Sequence, residues 1–329
     1  MRDLLRLLQH HVPPEARLDD NQSIFLETQL RSVDSKIYDM KFALLKGRFL
    51  IPKIMDISEV DNEYTYQMYE TAGSAKIIAN AADDLPSVNV SARDYTSRVK
   101  PLGTSFSYNM FDIKAAAQKG KPLSDLLARA ARRAIEEQID ELIAFGSTDH
   151  NMTGFVNHSS VEDSEFVPVV KAAGGGDDTW LKNGAPNATG LEMVADVNNF
   201  VAQGWNALKE AEGLGDKISL VLPAAEYAYF AATPMGDNAD KTALKFVLEN
   251  NPFLESITPW HKLAGVGAGN ANRMVRYIKD PMILGCLIPM EYSPQMVQID
   301  GLNYKIPVVA RCGGTVIRYP VAVGYGDGI

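Results

Sequence analysis

Cysteine is scarce in this 329-residue chain: Cys286 and Cys312 are the only two. Two thiols without metal-ligand spacing build neither a disulfide framework nor a zinc site, so a reduced, intracellular place of folding is the simpler account. In that setting the Asn-Xaa-Ser/Thr triplets at Asn89, Asn151, Asn157 and Asn187 carry no meaning as glycan acceptors. Long hydrophobic runs are missing too. No stretch approaches the ~18 uninterrupted apolar residues of a membrane span, and Asp3 and Arg6 fall inside what would have to be the apolar core of a signal peptide. Neither a membrane partner nor secretion by the usual signal is expected. The third shortage is positive charge: 41 acidic against 32 basic side chains leave a formal charge of −9, with an isoelectric point near 5.1. Broad neutralisation of nucleic-acid phosphates needs the opposite balance, although local basic patches remain compatible with these totals.

Motifs that carry chemistry are equally thin. The five histidines, His10, His11, His150, His158 and His261, form no HExxH pair and adjoin no Ser, Cys or carboxylate motif, so they read as loop or surface residues. Asp83-Asp84 and Asp177-Asp178 lack an EF-hand frame and read as turn residues. No Gly-x-Ser-x-Gly elbow occurs, and Cys286 lies in an apolar run that predicts burial. Gly265-Val-Gly-Ala-Gly269 is the one glycine run to weigh as a phosphate cradle, which would make the chain an α/β enzyme binding a phosphate-bearing ligand. Its context fails, because no strand feeds it, no Lys-Ser/Thr closes it, and Asn270-Ala-Asn-Arg leads toward a strand. No catalytic residue, metal site or cofactor is assigned.

What is present is ordinary globular composition, 46% hydrophobic and 22% charged, long enough for about two compact bodies or one elongated one. Residues 1–47 read as an arm: Leu4, Leu5, Leu7 and Leu8 make a short amphipathic turn before Pro13-Pro14, and an arm of this kind needs something else to lie on. From about Gly47 to Phe111 the pattern has period two, with Tyr64, Tyr66 and Met68 on one strand and Phe106, Tyr108 and Met110 on another. The polar stretch Asn80–Pro86 lies between them, which fits a long hairpin-like excursion. Two isolated strands are marginal in water, so neighbours in the same chain or in another must support them. Pro122–Phe145 carries Leu126, Leu127, Ala130, Ala131, Ala134, Ile135, Ile139, Leu142 and Ile143 at helical spacing, with Arg132/Glu136 and Arg133/Glu137 four apart and Gly146 as a stop. At 1.5 Å per residue this is a rod of roughly 35 Å. Beyond a loop-rich stretch with a strand candidate at Phe166–Val170, helices are expected over about 190–211, 223–232 and 239–250, and strands at Ile218–Leu222, 273–278 and 283–288. The end turns β, with Asp300-Gly301 joining Val297–Ile299 to Leu302–Ile306 and a last strand over Thr315–Val323.

This order resembles the HK97-like major capsid protein fold of tailed bacteriophages. Tyr64-Thr-Tyr-Gln-Met-Tyr-Glu-Thr-Ala-Gly-Ser-Ala-Lys-Ile-Ile-Ala-Asn-Ala-Ala-Asp-Asp-Leu-Pro86, then Gly103-Thr-Ser-Phe-Ser-Tyr-Asn109, Gly120-Lys-Pro-Leu and Ala-Arg-Arg-Ala-Ile-Glu-Glu, are similar to the wording of a phage capsid family once known only as a domain of unassigned function. The similarity is dense over about 60–160 and looser beyond. It implies an α+β, HK97-like capsid fold with an N-terminal arm (1–47), a long β-hairpin E-loop region (48–111) and a peripheral domain (112–189) containing a spine helix (122–146). An axial α/β domain (190–290) and C-terminal strands (291–329) returning to the peripheral and axial sheets would follow. It implies a homo-oligomer of hexamers and pentamers in an icosahedral head around double-stranded DNA, without sequence-specific contact. An encapsulin-like bacterial compartment is the nearest alternative. Scaffold, portal and decoration proteins are further partners of such shells, and the lack of a fused N-terminal scaffolding extension predicts a separate scaffold or protease gene. Leu4, Leu5, Leu8, Tyr64, Tyr66, Met68, Tyr69, Phe106 and Tyr108 are the expected assembly contacts. Assembly would occur in the host cytoplasm and the protein would reside in the virion.

Overall fold

The structure, a computed structural model, describes residues 44–75, 87–112, 123–161, 166–169, 179–182, 184–208, 217–236 and 240–329. The expectations for Leu4, Leu5 and Leu8, for the turn at Asn80–Pro86 and for Asp177-Asp178 lie outside these residues. A single helical turn, Gly47–Leu50, precedes three ten-residue strands: β1 (Glu63–Ala72), β2 (Asn89–Arg98) and β3 (Lys100–Asn109). The long helix α1 (Leu123–Phe145) follows, then α2 (Gly190–Leu208), β4 (Ile218–Leu222), α3 (Ala224–Ala232), α4 (Ala243–Asn250), β5 (Leu254–Pro259) and β6 (Arg273–Tyr277). The last third holds β7 (Leu284–Cys286), β8 (Met290–Pro294), β9 (Gln298–Asp300), β10 (Asn303–Cys312), β11 (Thr315–Ile317) and β12 (Val323–Asp327).

The rod read from periodicity is α1. Ala131, Ile135, Ile139, Leu142 and Ile143 are buried, whereas Ala130 and Ala134 of the expected apolar set face solvent. Arg132–Glu136 (3.5 Å) and Arg133–Glu137 (2.5 Å) line its outer side. Asp140 points inward instead and accepts the Gly47 N–H at 2.7 Å, with Lys262 3.5 Å away, which ties the entering chain to the rod. Gly146 ends the helix at φ +69°, and a Cβ there would sit 2.2 Å from the Met152 carbonyl oxygen. Gly146→Ala therefore carries both the left-handed backbone penalty of about 1–2 kcal/mol and a steric clash. Gly184, at φ +78° with open space around it, carries only the first. Denaturant midpoints should place Gly146→Ala well below Gly184→Ala; equal midpoints would mean that the Met152 carbonyl moves aside freely.

α1 packs across β3, β10 and β8. β3 pairs antiparallel with the whole of β10, from Asn109↔Asn303 to Lys100↔Cys312. The other edge of β10 is shared end to end by β9 (Asp300↔Asn303 to Gln298↔Lys305) and β8 (Pro294↔Val308 to Met290↔Arg311). The second sheet, in the order β12-β6-β4-β5, has β4 and β5 parallel and its other pairs antiparallel. β4 and β6 are buried along their full length, and α2–α4 accompany this sheet. α4 starts where a capping residue marks it, with the Thr242 hydroxyl accepting from the Lys245 N–H. One hydrophobic core runs from α1 through this sheet; a smaller one, Ile54, Val99, Leu287 and Val316, lies under β1.

Five expectations are corrected in whole or in part. The strand carrying Phe106 and Tyr108 does not close the excursion: β1 pairs with β2, from Glu63↔Arg98 to Ala72↔Asn89, and β3 belongs to the β10 sheet. β2 escaped the hydrophobic pattern because it is exposed at every position except Ser97. Residues 166–169 alternate buried and exposed yet form no strand; Pro168 lacks an N–H, and Val169 donates to Asp196 instead of to a ladder. The last strand is two, β11 and β12, separated by a 3₁₀ turn at Pro320–Ala322 whose proline cannot continue a ladder. The terminal hairpin turns at Gly301-Leu302, one residue later than read, with Gly301 at φ +60°. His158, read as a loop or surface residue, lies in a loop and is buried there, 7% exposed.

Candidate assembly surface

The β1–β2 ribbon is fixed at its root and open beyond it. At the root, Arg311 donates to the Glu59 carbonyl and to Asn62 Oδ1, both at 2.5 Å, and Val99 N–H donates to the Asn62 carbonyl at 2.8 Å. Arg318 donates to Tyr64 Oη at 2.6 Å and lies 5.8 and 5.9 Å from the Tyr64 and Tyr66 ring centres. The Tyr66 hydroxyl donates to the Ile317 carbonyl at 3.2 Å, and its ring stacks on Tyr95 with centroids 5.4 Å apart. Burial, then the neighbouring Tyr95, push the Tyr66 phenol above its ordinary range, with Arg318 opposing. Tyr64 and Tyr66 thus serve as anchors of the ribbon on their own chain. Met68 is half-buried and Tyr69 is exposed, as are Val88, Val90 and Tyr95.

Phe106 packs with Leu102 against the main core, and Tyr108 meets Tyr304 across the strand pair at 5.7 Å. These two residues therefore stand in a different sheet from the tyrosines of β1. Sequence reasoning missed a second group of exposed apolar residues, Phe111, Met296, Val297, Ile299 and Leu302, around the β9–β10 turn. Ile299 and Leu302 carried the signal for it: apolar residues flanking a tight turn that has no helix to cover it.

The glycine run is already occupied by the chain itself. Ala268 N–H donates to Asp327 Oδ2 at 2.9 Å, Gly265 N–H to Asn272 Oδ1 at 2.9 Å, and Gly267 N–H to the Ala271 carbonyl at 2.8 Å. A carboxylate sits where a phosphate cradle would need room for an anion. Asp327 is also held by Arg273 (2.6 and 2.7 Å); burial pushes its carboxyl up, but these hydrogen bonds and the arginine charge outweigh that and keep it below its usual value. Both thiols are buried, and burial pushes Cys286 to about 12 and Cys312 to about 11, which makes them inert as nucleophiles at neutral pH. Among the described residues no group of three His, Cys, Asp or Glu side chains is placed to hold a metal, and no helix is long and apolar enough to cross a membrane.

A sheet braced by one long helix, an adjoining sheet with its helices and a rooted ribbon make up the described fold, and solved capsid structures share this arrangement. The capsid of Myoviridae phage XM1 superposes with a TM-score of 0.76 at 19% identity, covering 92% of this chain and 98% of that one. A native GTA particle capsid gives 0.62 at 10% identity (94% and 98%), and a Mycobacterium phage Bobi chain 0.59 at 12% identity (95% and 99%). A comparison with curated proteins returns no match. The major capsid protein family matches residues 73–329, and this chain belongs to that family. Its fold is the HK97-like capsid fold, its role is structural, it self-assembles into a capsid shell, and its place is the virion.

Proposed function

We propose that the chain is the major subunit of an icosahedral tailed-phage head, assembled in the host cytoplasm as hexamers and pentamers around double-stranded DNA. The family match over 73–329 carries this reading, and the open ribbon gives it a physical form. β1 and β2 each pair only with one another among the described strands, so both outer edges present unpaired N–H and C=O groups. Copies meeting in a shell cover such edges many times over, so that each contact can be weak. Residues 1–47 act as the arm, 48–111 as the E-loop region, 112–189 as the peripheral domain, 190–290 as the axial domain and 291–329 as the returning strands. Tyr69 is the residue of the β1 set most available to a neighbour; Tyr64, Tyr66, Phe106 and Tyr108 act by holding their strands in place. The formal charge of −9 suits a wall that DNA does not adhere to, so DNA is held without sequence-specific contact. Scaffold, portal and decoration proteins are its further partners, and no catalytic step is assigned to it.

Excising Tyr69–Arg93 and joining Met68 to Asp94 through a short turn keeps the Arg311, Arg318 and Tyr64 anchors. The shortened chain should retain its circular dichroism and melting transition yet form no closed particles in electron micrographs. Normal shells from it would remove the ribbon from assembly.

A further inference from the structure

Two apolar features of the described residues lie at opposite ends of β10. One is a groove of about 640 Å³ beside the ribbon root, with Ile54, Tyr66 and Met68 toward its floor and Met55, Met282 and Tyr319 at its exposed rim. Arg311, at the end of β10, holds that root through Glu59 and Asn62. The other is the β9–β10 tip, where Met296 is 91% and Ile299 72% exposed, with Val297, Leu302 and Phe111 beside them. Exposed apolar clusters of this kind on a soluble chain mark contact sites. The ten residues of β10 separate tip from groove by about 30 Å, so a copy cannot fill its own groove with its own tip. A projection and a recess at opposite ends of one subunit are what a head-to-tail contact requires, and such contacts generate rings when the rotation closes. The groove lining carries Lys53, Arg318 and Asp56, with Lys53 paired to Glu291 at 3.1 Å and Arg318 donating to Tyr64, so the apolar surfaces and their placement carry the fit.

We propose that the β9–β10 tip of one copy seats in the ribbon-root groove of the next, placing Ile299 and Leu302 against the methionines of the recess. Methionine is suited to such a recess because its unbranched, polarisable side chain adapts to the incoming surface. The contact rests on the shell reading above and specifies how neighbouring copies meet within it.

The test uses full-length chains carrying Leu302→Cys or Met282→Cys, since both native cysteines are buried. After mixing, assembly and mild oxidation, a disulfide-linked dimer should form from the mixture and from neither variant alone. Ile299→Asp, at an exposed position that the fold tolerates, should lower particle yield about tenfold or more at fixed subunit concentration. A linked dimer from Leu302→Cys alone would show tip meeting tip and overturn the proposal. Intact shells with no mixed dimer and undiminished Ile299→Asp assembly would overturn it as well, leaving the shell reading standing. If the unaltered chain forms no shells at any concentration, the shell reading itself fails and takes this contact with it.

Discussion

Ile135→Asp is expected to cost several kcal/mol and to leave little soluble, folded chain. Ile135 is 3% exposed, on the α1 stripe that it shares with Ala131, Ile139 and Leu142. A carboxylate in that stripe loses its hydration and gains no cation in return. Total stabilities of about 5–15 kcal/mol leave little margin for a loss of that size. One position earlier the helix faces water, so Ala134→Asp should cost no more than about 1 kcal/mol, chiefly as lost helix propensity. The pair separates burial from helix propensity, because both introduce the same residue into the same helix. Soluble yield and urea midpoint measure it, and matching midpoints for the two variants would mean that the buried face of the rod has been misassigned.

Acid should weaken the unassembled subunit between about pH 6.5 and pH 4, with His158 the main cause. Its backbone N–H donates to Tyr325 Oη at 3.0 Å, and its ring Nδ1 accepts from the Ser160 N–H at 3.2 Å. Tyr325 Oη in turn donates to the Phe155 carbonyl at 2.7 Å, and the Arg273 guanidinium lies 4.5 Å from the Tyr325 ring centre. Burial in this setting pushes the imidazole down to about 4 from 6.5. As pH falls through that window the unfolded chain takes up a proton that the folded chain refuses, so the folded state loses about 3 kcal/mol in all. Asp327 has the opposite window: its pairing with Arg273 contributes above the ordinary carboxyl value and is lost only at lower pH, as the depressed folded value is crossed. Urea midpoints of dilute subunit against pH should therefore slope down from pH 6.5 to 4 in the native chain and flatten there in His158→Gln. An unchanged slope in that variant would acquit His158.

The elements legible in the sequence were those whose signal is local. α1 was readable because its apolar residues recur at helical spacing and Gly146 follows, and β4 because Ile218–Leu222 is apolar but for Ser219; α4 was expected from about 239 and begins at Ala243, after Thr242. β2 was not legible: Asn89–Arg98 is polar and almost wholly exposed, and only its register with β1 makes it a strand. The same holds for the partners of β3, since strand pairing between residues about 200 apart leaves no periodic mark on either segment. Of the expected assembly contacts on β1, Tyr64, Tyr66 and Met68 were marked in the sequence by alternation. The division of these contacts into Tyr64 and Tyr66, bound by Arg318 and Ile317, and Tyr69, left exposed, depends on side chains from the far end of the chain.

The sequence by itself determined which segments carry helical or alternating patterns, and the wording of about residues 60–160 carried the resemblance to the capsid family, because each is a property of residues and their near neighbours. Tertiary structure alone decided which apolar faces the molecule covers for itself and which it leaves bare. Burial is a sum over residues distant in sequence: Arg311 and Arg318 close the ribbon root, β3 and the shared pair β8 and β9 occupy both edges of β10, and the ribbon edges and the β9–β10 tip receive no cover from the described chain.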